Sequence, residues 1–177
     1  HRDLHSFPTR RSSDLYGDDC QPDIISFGKK TQVCGIFASN RLNEVEGHVF
    51  EESSRLNSTW GGNLVDMVRF TIYLEIIERE NLLDQVKENG DYLKLGLESL
   101  QKNYPETVFN VRNRGLFGAF DLKSGEERDK SIELIVKEGA IMLGCGTKSI
   151  RFRPHLNVSR TEIDQGMDMI NQALKHL

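Results

Sequence analysis

Three stretches of this 177-residue chain carry residue types that could do chemistry. The first holds Lys29, in PDIISFGKKTQVCG at 22–35. A lysine delivered where an apolar strand stops can lose solvation, lower its pKa and act as an amine nucleophile, as a Schiff base requires. A surface turn would give the same Gly-Lys pair, and Lys30 is the neighbouring competitor. The second stretch holds Asn57, Ser58 and Thr59, ahead of Trp60 and the pair Gly61-Gly62. A helical pattern follows, and the free N–H groups of a helix start suit a phosphate, to which the Thr59 hydroxyl would add a bond. An ordinary helix cap reads the same way. The third stretch is SIRFRPHL, 149–156. Strand alternation puts Arg151 and Arg153 on one face and Phe152 on the other. A guanidinium on a rigid strand suits bidentate carboxylate recognition, while a solvated edge strand would carry two plain surface arginines.

These residues need elements to hold them. The run Ile24-Ile25-Ser26-Phe27, bounded by Pro22 and Gly28, predicts a buried strand, apolar as a parallel strand covered on both faces would be. A second strand is expected at 33–38. Leu64, Val65, Val68, Ile72 and Ile76 predict a helix over 63–80, and a further helix runs to about 102, ended by Tyr104-Pro105. Residues 108–112 and 118–122 read as two strands or one bent strand around Arg114-Gly115, further strands are expected at 141–143 and 149–152, and a helix at 126–138 ends at Gly139. Thr161 is expected to cap a last helix that buries Ile163, Met167, Ile170 and Leu174.

The strings PDIISFGKKTQVCG, RLNSTWGGN, NVRNRGLFGAFDL and KSIRFRP resemble, in order and spacing, those of class III, fold-type I aminotransferases dependent on pyridoxal 5'-phosphate (PLP). The resemblance runs from about Tyr16 to Leu177. GKKTQVCG and LNSTWGGN are similar to the members that act on the ε-amino group of L-lysine. GCGTKSIRFRP, 144–154, is shared with the 4-aminobutyrate group and does not separate the two.

The resemblance implies an α/β fold made of the end of a large PLP-binding domain and a small C-terminal α/β domain. The active site would lie between domains and across a homodimer interface. Lys29 would hold PLP as a Schiff base and then move a proton between substrate and cofactor. Thr59, with Asn57 as the weaker candidate, would bind the PLP phosphate of the neighbouring subunit. Arg151 would hold the α-carboxylate of 2-oxoglutarate or glutamate, and Arg153 fits a structural role. The implied reaction moves the ε-amino group of L-lysine to 2-oxoglutarate, giving 2-aminoadipate 6-semialdehyde and glutamate. A 4-aminobutyrate or other ω-amino acid aminotransferase is the alternative, and a non-catalytic dimerisation module the reading from another class. The family's pyridine-nitrogen aspartate, stacking aromatic and phosphate loop precede the lysine strand, so this chain is expected to be inactive alone.

Composition fits a globular chain, with 37% hydrophobic and 28% charged residues. A net charge of −4 without a basic stripe argues against nucleic acid. No apolar run has bilayer length, which argues against a membrane role. Cys20, Cys34 and Cys145 lack metal spacing and suit a reduced, cytoplasmic setting, and the histidines form no metal cluster. Residues 1–15 have no periodicity and no initiating methionine, and are expected to be a non-native, adapter-like or disordered leader, with the natural protein cut upstream of Tyr16. Residues 16–80 are expected to end the large domain and its linking helix, and 81–177 to form the small domain.

Overall fold

The computed structural model describes residues 22–28, 31, 33–56 and 58–177. The chain divides into two compact units, His1–Glu80 and Asn81–Leu177.

In the first unit, strand β1 (Ile24–Phe27) pairs antiparallel with β2 (Gly35–Ala38), from Ile24 opposite Ala38 to Phe27 opposite Gly35. The expected parallel strand covered on both faces is not what forms. The apolar run folds back on β2 through residues 28–34, and Ile24 and Ser26 are exposed. That connection is too short for the crossover of about a dozen residues that a parallel pair needs. Phe27 instead stacks on Phe37 at 4.7 Å and on Phe70 at 5.1 Å. Phe70 belongs to helix α1 (Leu64–Arg79), whose first turn is capped by Asn63, its side-chain oxygen accepting from the Val65 N–H at 2.9 Å. The stripe Leu64, Val65, Val68 and Ile72 does not build a core: all four are exposed, Leu64 at 76%. Among the described residues of this unit, only Val33 and His48 are buried.

The second unit has a full core. Helix α2 (Leu82–Asn103) precedes a hairpin of β3 (Phe109–Arg114) and β4 (Phe117–Asp121). Helix α3 (Gly125–Lys137), β5 (Leu143–Cys145), β6 (Ser149–Phe152) and helix α4 (Arg160–Leu174) follow. The sheet order is β3-β4-β6-β5, each pair antiparallel. Phe120, Ile150 and Phe152 point into a core with Leu93, Leu97 and Leu100 of α2, Ile135 of α3, and Ile163, Met167, Ile170 and Leu174 of α4. Each such side chain contributes roughly 1.5–3 kcal/mol on burial. Strand β5 lies two residues later than expected, leaving Ile141 exposed.

Gly90 falls within the apolar stripe of α2, where the helix crosses the β3–β4 turn. A Cβ there would lie 2.5 Å from the Gly115 Cα, so helix and turn meet backbone to backbone. Gly115 itself has φ +52°, which favours glycine. Asn113 fastens the contact, its side-chain amide donating to the carbonyls of Gly90 (2.8 Å) and Gly115 (3.1 Å).

The cap of α4 is Ser159, not Thr161. The Ser159 hydroxyl accepts from the Glu162 N–H (3.2 Å) and the Glu162 carboxylate accepts from the Ser159 N–H (2.8 Å). Ser-Arg-Thr-Glu is a capping box, and Thr161 lies inside the first turn.

Hydrogen exchange on this chain should show strong protection in α2, β4, β6 and α4 and little over residues 22–80. The contrast follows from where apolar area is buried. Equal protection in both units would show that burial does not govern local stability here.

Candidate functional site

Lys29, Lys30 and Asn57 lie outside the described residues. The flanks of the lysine pair are described. Gly28 comes close to Cys34, whose Sγ stands 2.8 Å from where a Cβ would be. The Thr31 hydroxyl donates to the Val33 carbonyl at 2.5 Å.

Thr59 lies in the turns leading to α1, after Ser58, whose carbonyl accepts from the Gly61 N–H at 3.1 Å. It is exposed, and its hydroxyl has no partner among the described residues. Gly62 takes φ +75°. The start of α1 is partly occupied by its own cap at Asn63, so the helix end is less open than the sequence suggests. A free hydroxyl beside two glycines still fits a phosphate, since it can donate where the backbone can come close.

Arg151 stands in the middle of β6, opposite Ala119 of β4 and Leu143 of β5. It is half-buried. Its Nε is buried without a hydrogen-bond partner, and no carboxylate lies within ion-pair distance among the described residues. A buried guanidinium nitrogen left unpaired is costly, so the site lacks an acceptor. Arg153 lies beyond the strand and is exposed, as a structural or surface residue would be.

Sequence reasoning missed the polar group beside Arg151. Arg112 Nη1 donates to Asp121 Oδ1 (2.9 Å) and to the Asn110 carbonyl (2.7 Å), and its Nη2 donates to Ser149 Oγ (3.1 Å). The Ser149 hydroxyl donates to Asp121 Oδ1 (2.6 Å), and the Asn110 amide donates to Asp121 Oδ2 (3.0 Å). Asn110 reaches Asp121 from a left-handed backbone, φ +48°, where the β3–β4 register shifts. The available signal was an acid closing the apolar strand FGAFD, since such an acid needs donors near it. Burial opposes ionisation of Asp121, but hydrogen bonds from Ser149, Asn110 and Arg112, with the Arg112 charge, outweigh it and hold the carboxyl below its usual range. Among the described residues no cluster could hold a metal ion, and no helix is long and apolar enough to cross a membrane.

The model of the family Aminotransferase class-III matches residues 11–174. The chain belongs to the class-III aminotransferases. This family works with PLP. An L-lysine-epsilon aminotransferase from Amycolatopsis lactamdurans is 50% identical over 155 residues, 87% of this chain and 34% of that protein. A 4-aminobutyrate aminotransferase from Dictyostelium discoideum is 36% identical over 156 residues, 88% of this chain and 30% of that protein. The solved lysine aminotransferase from M. tuberculosis, in its internal aldimine form, shares 46% identity with a TM-score of 0.85, over 89% of this chain and 36% of that one. The same organism supplies solved variants with an asparagine changed to alanine and a threonine two positions later changed to serine. The class-III chain described here spans about a third of the length of its curated relatives. Its α/β architecture is that of part of a PLP-dependent aminotransferase.

The lowered Asp121 pKa fixes a direction with pH. Its ionised network adds stability above the unfolded carboxyl value of about 3.9 and loses it as pH falls through the lower folded value. Asp121→Asn should thus lower the denaturant midpoint at neutral pH, and the gap to the parent chain should close in acid. Urea titrations at several pH values would measure this, and a gap that stays constant would remove the assigned charge.

Proposed function

We propose that the whole protein transfers the ε-amino group of L-lysine to 2-oxoglutarate, giving 2-aminoadipate 6-semialdehyde and glutamate. The observation that carries it is Arg151, a half-buried guanidinium on a rigid strand with no carboxylate partner among the described residues. Such a group suits the α-carboxylate of an oxoacid or amino acid. The choice of amine rests on the relatives, where L-lysine-epsilon aminotransferases stand at 46–50% identity and 4-aminobutyrate aminotransferases at 32–36%.

PLP, when bound, supplies an aldehyde that condenses with amines and a ring that takes up electrons. Lys29 supplies the amine that holds it, and afterwards the base that carries the proton at the reacting carbon. Thr59 donates its hydroxyl to the phosphate of the cofactor in the neighbouring subunit, with Asn57 beside it. The asparagine and threonine changed in the M. tuberculosis variants have the spacing of Asn57 and Thr59, which supports this pair. The working form is a homodimer. The free thiols of Cys34 and Cys145 suit the cytoplasm.

In the whole protein, borohydride reduction with PLP followed by peptide mapping should label Lys29. Lys29→Ala should abolish the label and Lys30→Ala should keep it. A label on Lys30 alone would reverse the assignment, and no label on either would favour a dimerisation module.

Arg151→Ala should slow the half-reaction with 2-oxoglutarate far more than that with L-lysine, by a loss of about 2–5 kcal/mol in a desolvated site. Single-turnover rates for both halves test this, and equal losses would remove the proposed role. Faster turnover of 4-aminobutyrate than of L-lysine would select the alternative donor.

A further inference from the structure

Arg112, Ala119 and Arg151 form one row across β3, β4 and β6. Residues directly opposite one another point to the same face, so both arginines project from the face away from the core. Their Cα positions are two strand spacings apart, roughly 9–10 Å. The two guanidinium groups are treated differently. Arg112 is turned along the sheet to the next row, where Asp121 faces Ser149 across β4 and β6. There it meets a carboxylate with only 12% of its side chain exposed, although Arg112 itself is 45% exposed. Arg151 has no such partner among the described residues.

We infer that Asp121, with Ser149 and Asn110, occupies Arg112 so that, within this row, Arg151 alone offers a guanidinium to a substrate carboxylate. Asp121 is in this sense a specificity-determining residue for the oxoacid, acting through Arg112 without touching substrate. The inference rests on the reading of Arg151 given above. Its physical basis is competition. A carboxylate taken by Arg112 would be held two strands away from the one that Arg151 binds. Such binding is tight but unproductive, and it lowers kcat and KM together while leaving kcat/KM nearly unchanged. The donors of Arg112 are directed by their geometry. Asp121 Oδ1 takes Nη1, Ser149 Oγ takes Nη2, and the Ser149 proton returns to Asp121 Oδ1. With the Asn110 carbonyl, the ring takes three of the five guanidinium N–H groups of Arg112 and sets the Asp121 charge against its own, which weakens its pull on a second carboxylate.

The test uses the whole protein with PLP and 2-oxoglutarate. Asp121→Asn keeps the shape and the hydrogen bond to Ser149 but removes the charge that holds Arg112. In that variant kcat and KM for 2-oxoglutarate should both fall, about tenfold each, the size of one charge-assisted contact. The half-reaction with L-lysine should stay at the parent rate, which also reports that the protein is folded. Adding Arg112→Gln to Asp121→Asn should restore both constants, because the competing guanidinium is gone. A structural role alone would make the double variant no better than the single one. Unchanged constants in Asp121→Asn, a defect that Arg112→Gln does not relieve, or loss of both half-reactions would each overturn the inference. Arg151→Ala run alongside separates the two claims. Full 2-oxoglutarate turnover there removes the reading of Arg151 itself. Its loss there, with an unaffected Asp121→Asn, removes only the role of Asp121.

Discussion

The charged arrangement of the second unit depends on one buried carboxylate. Asp121 closes β4 on the face away from the core and draws donors from the two neighbouring strands: Arg112 and Asn110 of β3 and Ser149 of β6. An ionised acid at that depth is tolerable only with such donors around it. Satisfying it dictates the bulge that turns Asn110 and the direction of Arg112, and it ties the β4–β6 register at Ser149. Arg151 sits two residues further along the same strand, so its place is fixed by an interaction in which it takes no part.

The two units differ in how they are held. In Asn81–Leu177, helix and strand periodicities agree on one core, and local and tertiary preferences support each other. The first unit is held by a hairpin, a capped helix and a small group of stacked phenylalanines. Its helix α1 has apolar residues at helical spacing, yet they face outward, so periodicity there reports a surface and not a core.

Much of the fold was legible because stripes such as Val86, Leu93, Leu97 and Leu100, or Ile163, Met167 and Ile170, have one plausible reading as buried helix faces. Tyr104-Pro105 and Gly139 marked ends for the same reason: their backbone preferences are local. Failures came where a partner decides. Whether Ile24–Phe27 lies in a parallel or an antiparallel pair depends on the chain beside it, which the run itself does not encode. Ser159 and Thr161 are both competent caps, and Glu162 chooses between them by its distance of three residues. Arg151 was visible as a carboxylate-binding type on a strand. The Arg112–Asp121–Ser149 ring was not, because Ser149 lies 28 positions from Asp121 and 37 from Arg112, and the strand order is needed to bring it to them.

The meeting of Gly90 and Gly115 has a mechanical consequence. Most helix–sheet contacts are cushioned by side chains that can change rotamer and absorb small displacements. Here two main chains touch, and Asn113 clamps them, so there is no soft layer at that point. Stress applied to the β3–β4 turn passes straight into α2. The sheet with its helices then acts as a stiff plate, and Arg151, on an inner strand of that plate, travels with it as a fixed tooth and not as a flexible finger.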